Sequence, residues 1–426
     1  MKRLHSLVEE TRKEKVLLVT VFRNPEEKWI KFDGLEEMAS LAETAGSEVI
    51  EKIAQKRKEY DAATFIGKGK VMELKTIANE LKIDTIIFNE ELTPSQKRKI
   101  EEITERKVLD RRELILDIFA QHAKTETAKI EVELAQLKFR FHMLQGAGIN
   151  LSRLGGGIGT RGPGEQRLEV DRRRIRTRIN HLEKELKRIE KSQVTQTKGR
   201  KRIFRVALIG YTNAGKSTIM NLLSNASVPV EDKLFATLDA TSRLVMIDNL
   251  HKFILTDTVG FIKNLPPQLI ASFHATLEEA IEADLRLHIL DASYENLNRH
   301  LSATKGIMEQ LGIKEKRTLL VFNKIDLVPS DEVIERLLRK YPGSVAISAK
   351  YGYGIKNLLN EIQHIMDEDT EIKTLSLSAT NGKLLSWIKE HTYVIDEHND
   401  GSMYHLKIRI RKKDIGILEA QRVEQN

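Results

Sequence analysis

The sequence has no cysteine among its 426 residues, so it can form neither a disulfide framework nor a thiolate metal site. No stretch approaches the 18 consecutive apolar residues of a membrane helix, and MKRLHSLVEETRKEK lacks the apolar run of a signal peptide. The 12 histidines show no metal-ligand spacing, and no serine stands in a nucleophile elbow. We therefore expect a cytoplasmic protein without a membrane span, acting as a monomer.

The formal net charge of +8 is unevenly distributed along the chain. Residues 172–202 alone contain 13 Lys or Arg against three Glu, a surplus of ten, so the rest of the chain is close to neutral. A basic surplus confined to one segment indicates contact with a polyanion at that place.

The length exceeds that of one ordinary domain, and changes in hydrophobic periodicity suggest four segments. Short apolar runs alternate with helical stretches at first, a long helical period follows, and two further α/β patterns complete the chain. We predict an N-terminal α/β domain with a long antiparallel helical hairpin, a central doubly wound α/β sheet and a small C-terminal α/β domain. The predicted bounds are 1–122, 123–202 for the hairpin, 203–368 and 369–426.

Apolar residues at four- and three-residue spacing predict the two hairpin helices. The first series runs from Ile130 to Leu144 and the second from Leu168 to Ile189. Between them, residues 146–164 hold eight of the 24 glycines and are predicted to form the tip, while 193–202 read as a polar linker.

In the last segment, the alternating strand MYHLKIRIRK predicts that Leu406, Ile408 and Ile410 face a core. The pattern leaves open whether the opposite face, with Lys407, Arg409 and Arg411, is merely solvated.

The stretch GYTNAGKS follows the apolar strand IFRVALI and leads into the helical STIMNLLS. In such a loop, backbone N–H groups and a helix N-terminus cradle phosphates, a lysine reaches the β and γ oxygens, and a Ser hydroxyl ligates Mg²⁺. The phosphate-binding candidates are Gly210, Tyr211, Thr212, Asn213, Ala214, Gly215, Lys216, Ser217 and Thr218.

Three further motifs end apolar strands downstream, in the order DTVG, NKID and SAK. Asp257 of DTVG is a candidate magnesium ligand, and Gly260 is predicted to place its amide near a γ-phosphate. In NKID, Asp326 can accept two hydrogen bonds that guanine offers and adenine does not, while Asn323 and Lys324 brace the base and the phosphate loop. The last motif comprises Ser348, Ala349 and Lys350, with the Ala349 amide predicted to donate to the guanine O6.

The segment KLFATLDATSR at 233–243 is the candidate switch that would complete the site. Thr237 is the preferred residue for contacting Mg²⁺ and the γ-phosphate, with Thr241 and Ser242 as alternatives. The predicted catalytic set is Lys216, Thr237 and Gly260, and the predicted metal ligands are Ser217, Thr237 and Asp257. Phe261 follows DTVG where many GTPases carry a catalytic glutamine, so the chain lacks that group in its own switch.

Taken together, the glycine loop with RGPGE and LEVDRR, and the motifs GYTNAGKS, FATLD, DTVGFI and NKID, resemble the HflX family over nearly the whole chain. The resemblance implies a ribosome-associated GTPase that uses GTP and Mg²⁺, binds the large ribosomal subunit and splits idle or stalled ribosomes. It also implies that the hairpin tip reaches toward the peptidyl transferase centre.

The sequence departs from the family pattern at two places. It reads GEQRLEVDRR where members usually have GETQLETDRR, and Ala240 replaces the proline of FATLDP. Ribosome protection against peptidyl-transferase antibiotics is therefore a second hypothesis for the task of the loop.

Arginines in and beside the glycine stretch suggest contact with ribosomal RNA, since Arg binds phosphate oxygens and stacks on bases. The alternative is a solvated tip. The RNA-binding candidates are Arg153, Arg161, Arg167, Arg172, Arg173 and Arg174.

Two other functional classes remain open from the sequence. One is an RNA-binding scaffold that uses GTP only as a conformational switch, without catalytic turnover. The other is an ATP-dependent RNA enzyme, which depends solely on GKGK at 67–70, a stretch better explained as a turn from strand to helix.

Overall fold

The computed structural model describes residues 12–151, 163–197, 203–224, 241–248, 251–258, 260, 281–294, 297–310 and 317–423. The chain divides into two compact units. One contains the N-terminal sheet and the helical hairpin, and the other contains the central sheet and the C-terminal domain. This α/β architecture confirms the predicted fold class, whereas the predicted bounds at 122, 202 and 368 stay a prediction.

Across the described residues, no helix combines the length and apolar character needed to cross a bilayer.

The N-terminal domain is a parallel four-stranded sheet in the order β2-β1-β3-β4. Strand β1, one of the two central strands, is buried almost throughout, as expected where helices cover both faces of the sheet. The strands are β1 (Lys15–Phe22), β2 (Glu48–Lys56), β3 (Thr85–Phe88) and β4 (Lys107–Asp110). The helices are α1 (Pro25–Thr44), α2 (Lys68–Glu80), α3 (Pro94–Thr104) and α4 (Arg111–His122).

Helix starts in this domain are set by local sequence. Thr93 and Asp110 each form a reciprocal capping box with the residue three positions later, Gln96 and Glu113 respectively. Gly67 directly precedes α2, so GKGK lies at a strand-to-helix connection.

Two long helices, α5 (Glu126–Leu151) and α6 (Pro163–Thr197), form the hairpin. Leu182 is fully buried in one cluster with Leu134. Nearer the tip, Arg172 Nη2 donates to the Leu144 carbonyl at 2.5 Å, and the Arg176 guanidinium lies 5.3 Å from the centre of the Phe141 ring. In these contacts the residue numbers increase along α5 as they decrease along α6. The two helices are therefore antiparallel, as predicted.

The predicted glycine tip is shorter than expected. Helix α5 continues through Gly146 and Gly148 to Leu151, and α6 begins at Pro163. A helical glycine costs only about 1 kcal/mol relative to alanine, and proline is favoured in the first turn, so neither feature stops the helices at the predicted places. The connection itself, 152–162, lies outside the described residues.

The central domain is a six-stranded sheet in the order β10-β9-β8-β5-β7-β6, parallel except for β6. Its strands are β5 (Phe204–Gly210), β6 (Thr241–Met246), β7 (Lys252–Asp257), β8 (Leu285–Asp291), β9 (Thr318–Asn323) and β10 (Val345–Ala346). Its helices are α7 (Lys216–Ser224), α8 (Leu297–Gln310), α9 (Asp331–Lys340) and α10 (Ile355–Glu368). The antiparallel edge strand β6 was not predicted, because an edge strand with one buried residue gives little hydrophobic signal.

The C-terminal domain is an antiparallel sheet in the order β11-β13-β12, packed against two helices. Its elements are β11 (Thr370–Ser378), α11 (Gly382–His391), β12 (Tyr393–Asn399), β13 (Met403–Arg411) and α12 (Ile415–Val423). Leu406, Ile408 and Ile410 are buried, as predicted. The terminal helix α12 was not predicted.

The basic face of β13 joins this domain to the central sheet. Arg409 Nη1 lies 2.9 Å from Asp367 Oδ1, and Arg411 Nη2 lies 2.5 Å from Asp284 Oδ1. Burial raises the pKa of Asp284, but the hydrogen bond and positive charge of Arg411 outweigh burial and hold this pKa below its usual range. The question left open by the sequence is therefore answered: Lys407 is exposed, whereas these two arginines form the joint.

Candidate nucleotide-binding site

Five strand ends converge at one edge of the central sheet. Because β5, β7, β8, β9 and β10 are parallel, their carboxyl ends lie side by side. The residues found at these ends or within two positions after them are Gly210, Asp257, Asp291, Asn323 and Ser348. The sequence motifs GYTNAGKS, DTVG, NKID and SAK are thus brought to the same edge.

Two glycines let the loop after β5 fold tightly. Gly210 has φ +147°, and a Cβ built there would lie 2.3 Å from the Ile289 carbonyl oxygen. Gly215 has φ +92°, and its Cβ would lie 2.2 Å from Asn323 Nδ2. Side chains at these positions would push neighbouring strand ends away, so both positions require glycine.

Lys216, the first residue of α7, folds back over its own loop. Its side chain is 7% exposed, and Nζ donates to the carbonyls of Gly210 at 3.2 Å and Tyr211 at 2.8 Å. Burial lowers the pKa of Lys216 to about 8, although the nearby Asp257 carboxylate opposes the shift. A phosphate arriving at this loop would offer the ammonium a full negative charge in place of two neutral carbonyls.

The DTVG motif packs directly on the phosphate loop. Ser217 Oγ donates to Asp257 Oδ2 at 2.7 Å, and Asp257 is 2% exposed. A Cβ built on Gly260 would lie 2.8 Å from the Thr212 Cα and 2.9 Å from Lys216 Nζ, and the contact with the Thr212 backbone is the one that requires glycine. The hydroxyl, the carboxylate and the ammonium are therefore adjacent.

The side chain of Asn323 ties three loops together. Nδ2 donates to the Ala214 carbonyl at 2.8 Å, and Oδ1 accepts from the Ala349 amide at 3.0 Å. The residue is 2% exposed, so both bonds are shielded from water. The Ala349 amide is predicted to donate to the guanine O6, but in this structure it donates to Asn323 Oδ1. The predicted contact with guanine therefore requires this hydrogen bond to be broken or shared.

Asp326 is held by the neighbouring SAK loop. Its Oδ1 accepts a hydrogen bond from Ser348 Oγ at 2.5 Å, and the Ser348 backbone pairs with Tyr353. A carboxylate accepts about four hydrogen bonds, so Asp326 retains capacity for the two donors of a guanine edge.

Sequence reasoning missed two residues that support the site. Asp291, at the end of β8, pairs with Lys324 Nζ at 2.8 Å, and Lys324 has a left-handed backbone with φ 62°. Thr258 is fully buried and donates from Oγ1 to the Leu208 carbonyl at 2.6 Å, which ties DTVG to β5. The available signal was positional, since Asp291 ends an apolar strand just as Asp257 and Asn323 do.

The switch prediction is only partly visible. Thr237 and Phe261 lie outside the described residues. The alternatives Thr241 and Ser242 lie in β6, opposite Asp257 and Thr256 respectively, and Ser242 Oγ is 2.9 Å from Thr256 Oγ1. The Ser242 hydroxyl is therefore engaged by the hydroxyl of Thr256 on the neighbouring strand.

The predicted RNA-binding arginines differ in their surroundings. Arg153 and Arg161, and the side chain of Arg167, lie outside the described residues. Arg172 is half-buried and bonded to Leu144 across the hairpin, whereas Arg173 and Arg174 are exposed.

Comparison with known proteins places these motifs in a family. Four family models match successive parts of the chain: "GTP-binding GTPase N-terminal" (33–120), "GTP-binding GTPase Middle Region" (122–200), "50S ribosome-binding GTPase" (205–324) and "HflX C-terminal domain" (333–424). The GTPase HflX of Caldanaerobacter subterraneus is 42% identical over 93% of this chain and 91% of that protein. The chain belongs to the HflX family. The GTPase HflX of Flavobacterium psychrophilum is 48% identical over 74% of this chain and 76% of that protein.

Among solved structures, a crystal structure of SsGBP in complex with GDP is 26% identical and has a TM-score of 0.48. The match covers 83% of this chain and 99% of that one. Membership of the HflX family confirms the resemblance seen in the sequence: the chain binds guanine nucleotides and is a GTPase.

The buried lysine predicts proton uptake when GDP binds. At pH 8, about half of the Lys216 side chains are neutral before binding, and the diphosphate should restore the ammonium, so uptake should approach half a proton. At pH 7 the same change gives about a tenth of a proton. Calorimetric titration with Mg²⁺ and GDP, in buffers of different ionisation enthalpy, measures both values.

A Lys356→Met variant is the matched control, since Lys356 is an exposed lysine in the first turn of α10 and outside the predicted nucleotide-binding residues. It should keep the wild-type uptake. Equal uptake at pH 7 and pH 8 would show that Lys216 is fully charged before nucleotide arrives.

Proposed function

We propose that this chain is a GTPase of the large ribosomal subunit that separates idle or stalled ribosomes. The observation that carries the proposal is the match of residues 205–324 to a family described as a 50S ribosome-binding GTPase, on a fold that also presents a long basic hairpin. The hairpin supplies the RNA contact and the central sheet supplies the nucleotide switch. A protein with this function would act in the cytoplasm, and we expect it to act as a monomer.

The site geometry supports a specific division of labour. Lys216 leaves its two carbonyls for the β- and γ-phosphates, and the amides of the phosphate loop and the first turn of α7 surround them. The Gly260 amide contacts the γ-phosphate, and this contact couples the presence of the γ-phosphate to the segment that follows Gly260. Asp326 reads guanine, while Asn323 and Lys324 keep the base site in register with the phosphate loop.

A magnesium ion fits the donor set at Ser217 and Asp257. Both offer hard oxygen atoms, already 2.7 Å apart, and Mg²⁺ prefers oxygen ligands with a few protein groups plus phosphates and water. Among the described residues, no cluster of three or more His, Cys, Asp or Glu forms a separate metal site. Bound there with Thr237, the ion would neutralise charge on the transferred phosphoryl group.

The exposed pair Arg173 and Arg174 is the part of the RNA-binding prediction that the hairpin geometry favours. Neighbouring arginines are engaged within the hairpin: Arg178 makes two hydrogen bonds to Glu133, at 2.7 and 2.8 Å, and Arg176 lies on Phe141. Arg153, Arg161 and Arg167 stay RNA-binding candidates on the basis of the sequence.

Ribosome protection against antibiotics is the second candidate, and the altered loop sequence GEQRLEVDRR is the observation that favours it. It would use the same partner and hairpin. Family membership favours catalytic turnover over the alternative of an RNA-binding scaffold that does not hydrolyse GTP.

Large ribosomal subunits should stimulate GTP hydrolysis at least about a hundredfold, because an inserted catalytic group supplies about 10³–10⁵ and Phe261 cannot orient water. Phosphate release at fixed salt measures the rate, with Lys216→Ala as the blank.

Sedimentation of intact ribosomes should show separated subunits only with the chain and GTP. A fast rate without ribosomes would refute ribosome-dependent activation, and unsplit ribosomes despite stimulation would favour the protective role. Repeating the sedimentation with a peptidyl-transferase antibiotic tests that role.

Replacing Arg173 and Arg174 by glutamine should lower the salt dependence of subunit binding. Each lost phosphate contact reduces the slope of log K against log[salt] by about 0.7–0.9, so the double variant should lose about 1.5 units. Filter binding at several salt concentrations measures the slope. Arg178→Gln is the matched control, because its guanidinium is committed to Glu133, and it should leave the slope unchanged. A wild-type slope in the double variant would place the RNA contact elsewhere.

A further inference from the structure

The end of β8 places a carboxylate beside the NKID motif. Asp291 lies opposite Asn323 in the register of β8 and β9, and the amide of Ala292 donates to the Asn323 carbonyl at 2.8 Å. Lys324 is the next residue after Asn323, so its side chain starts within reach of Asp291. Its Nζ lies 2.8 Å from Asp291 Oδ2, and both side chains are 24% exposed.

The two carboxylate oxygens of Asp291 have different partners. Oδ1 accepts from the Ser293 amide at 3.0 Å and from Ser293 Oγ at 2.6 Å, which closes a turn directly after β8. Oδ2 is the oxygen that contacts Lys324. The turn therefore fixes the orientation of the carboxylate that receives the lysine.

The side chain of Lys324 is held at both ends. At its root the backbone is left-handed, with φ 62° and ψ 36°, a conformation that residues other than glycine adopt uncommonly. At its tip the ammonium is bound to Asp291. The four-carbon stem between these anchors has therefore lost most of the rotamer freedom that a lysine usually keeps. An ion pair of this exposure contributes little to the stability of the fold, so ordering of the stem is its main consequence.

We propose that Asp291 is a positioning residue for guanine nucleotides, because it holds the stem of Lys324 as an ordered apolar edge of the base site. This inference rests on the base-site role proposed above for Lys324. A stem that is already ordered need not be immobilised when the base binds, and immobilising one such side chain costs about twofold to twelvefold in affinity.

The sign of the effect separates positioning from simple electrostatics. GDP is anionic, so removing a negative charge near its site should tighten binding if that charge acts only through space. Asp291→Asn removes the charge at nearly constant shape and keeps Oδ1 for the Ser293 turn. Titration calorimetry with Mg²⁺ should nevertheless show about fivefold weaker GDP binding, since the stem of Lys324 loses its anchor. Asp331→Asn, which changes an exposed acid in the first turn of α9, is the matched control and should bind GDP no more weakly than the wild type.

A double-mutant cycle shows whether Asp291 acts through Lys324. Lys324→Met keeps an unbranched side chain without the ammonium, and in this background Asp291→Asn should cause no further loss of GDP affinity. Unchanged or tighter binding in Asp291→Asn alone, or an equal loss in both backgrounds, would overturn the proposal. Wild-type affinity in Lys324→Met would instead refute the base-site role of Lys324, and this inference with it.

Ser293→Ala decides the question if Asp291→Asn fails to fold. It removes the hydroxyl that orients the carboxylate but keeps the charge, so GDP affinity should fall by a smaller factor of about two, and only when Lys324 is present. Wild-type affinity in Ser293→Ala, or the same loss in the Lys324→Met background, would contradict the proposal.

Discussion

The parallel direction of the central strands is the constraint on which the nucleotide site depends. It brings the phosphate loop, DTVG, NKID and SAK to one edge, although they are spread over more than 130 residues of sequence. Asn323 then converts proximity into a fixed arrangement, because one buried amide bonds to the phosphate loop and to the SAK loop. Gly215 leaves the space that this amide occupies, so the loop sequence and the brace depend on each other.

The opposite edge of the same sheet has a different task. There Asp284, next to the amino end of β8, meets Arg411 of the C-terminal domain, and Asp367 near the end of α10 meets Arg409. Charged contacts of this kind need good geometry to offset desolvation, and the hydrogen bond and charge of Arg411 hold the pKa of Asp284 below its usual range despite burial. One sheet therefore has chemistry at its carboxyl edge and domain attachment at its amino edge.

The motifs and the order of the domains could be predicted because each follows from local rules: strand, glycine-rich turn and helix for the phosphate loop, and heptad spacing for the hairpin. The contacts that depend on tertiary structure could not be predicted from the sequence. That the Lys216 ammonium rests on its own loop, that Asp291 pairs with Lys324, and that Arg411 meets Asp284 depend on contacts between residues distant in sequence or on side-chain direction. Edge strand β6 and the continuation of α5 through its glycines show the same limit, since packing overrode weak local signals.

The most direct measurement is hydrogen–deuterium exchange of the nucleotide-free wild type and an Asn323→Ala variant. If one amide braces the whole edge, peptides covering 211–215 and 348–354 should both exchange faster in the variant, because the phosphate loop and the SAK loop lose their shared partner. Peptides from β3 and β4 of the N-terminal sheet should be unchanged and serve as the internal control. Faster exchange in only one loop, or in neither, would contradict the claim that Asn323 holds the phosphate and base sites as a single unit.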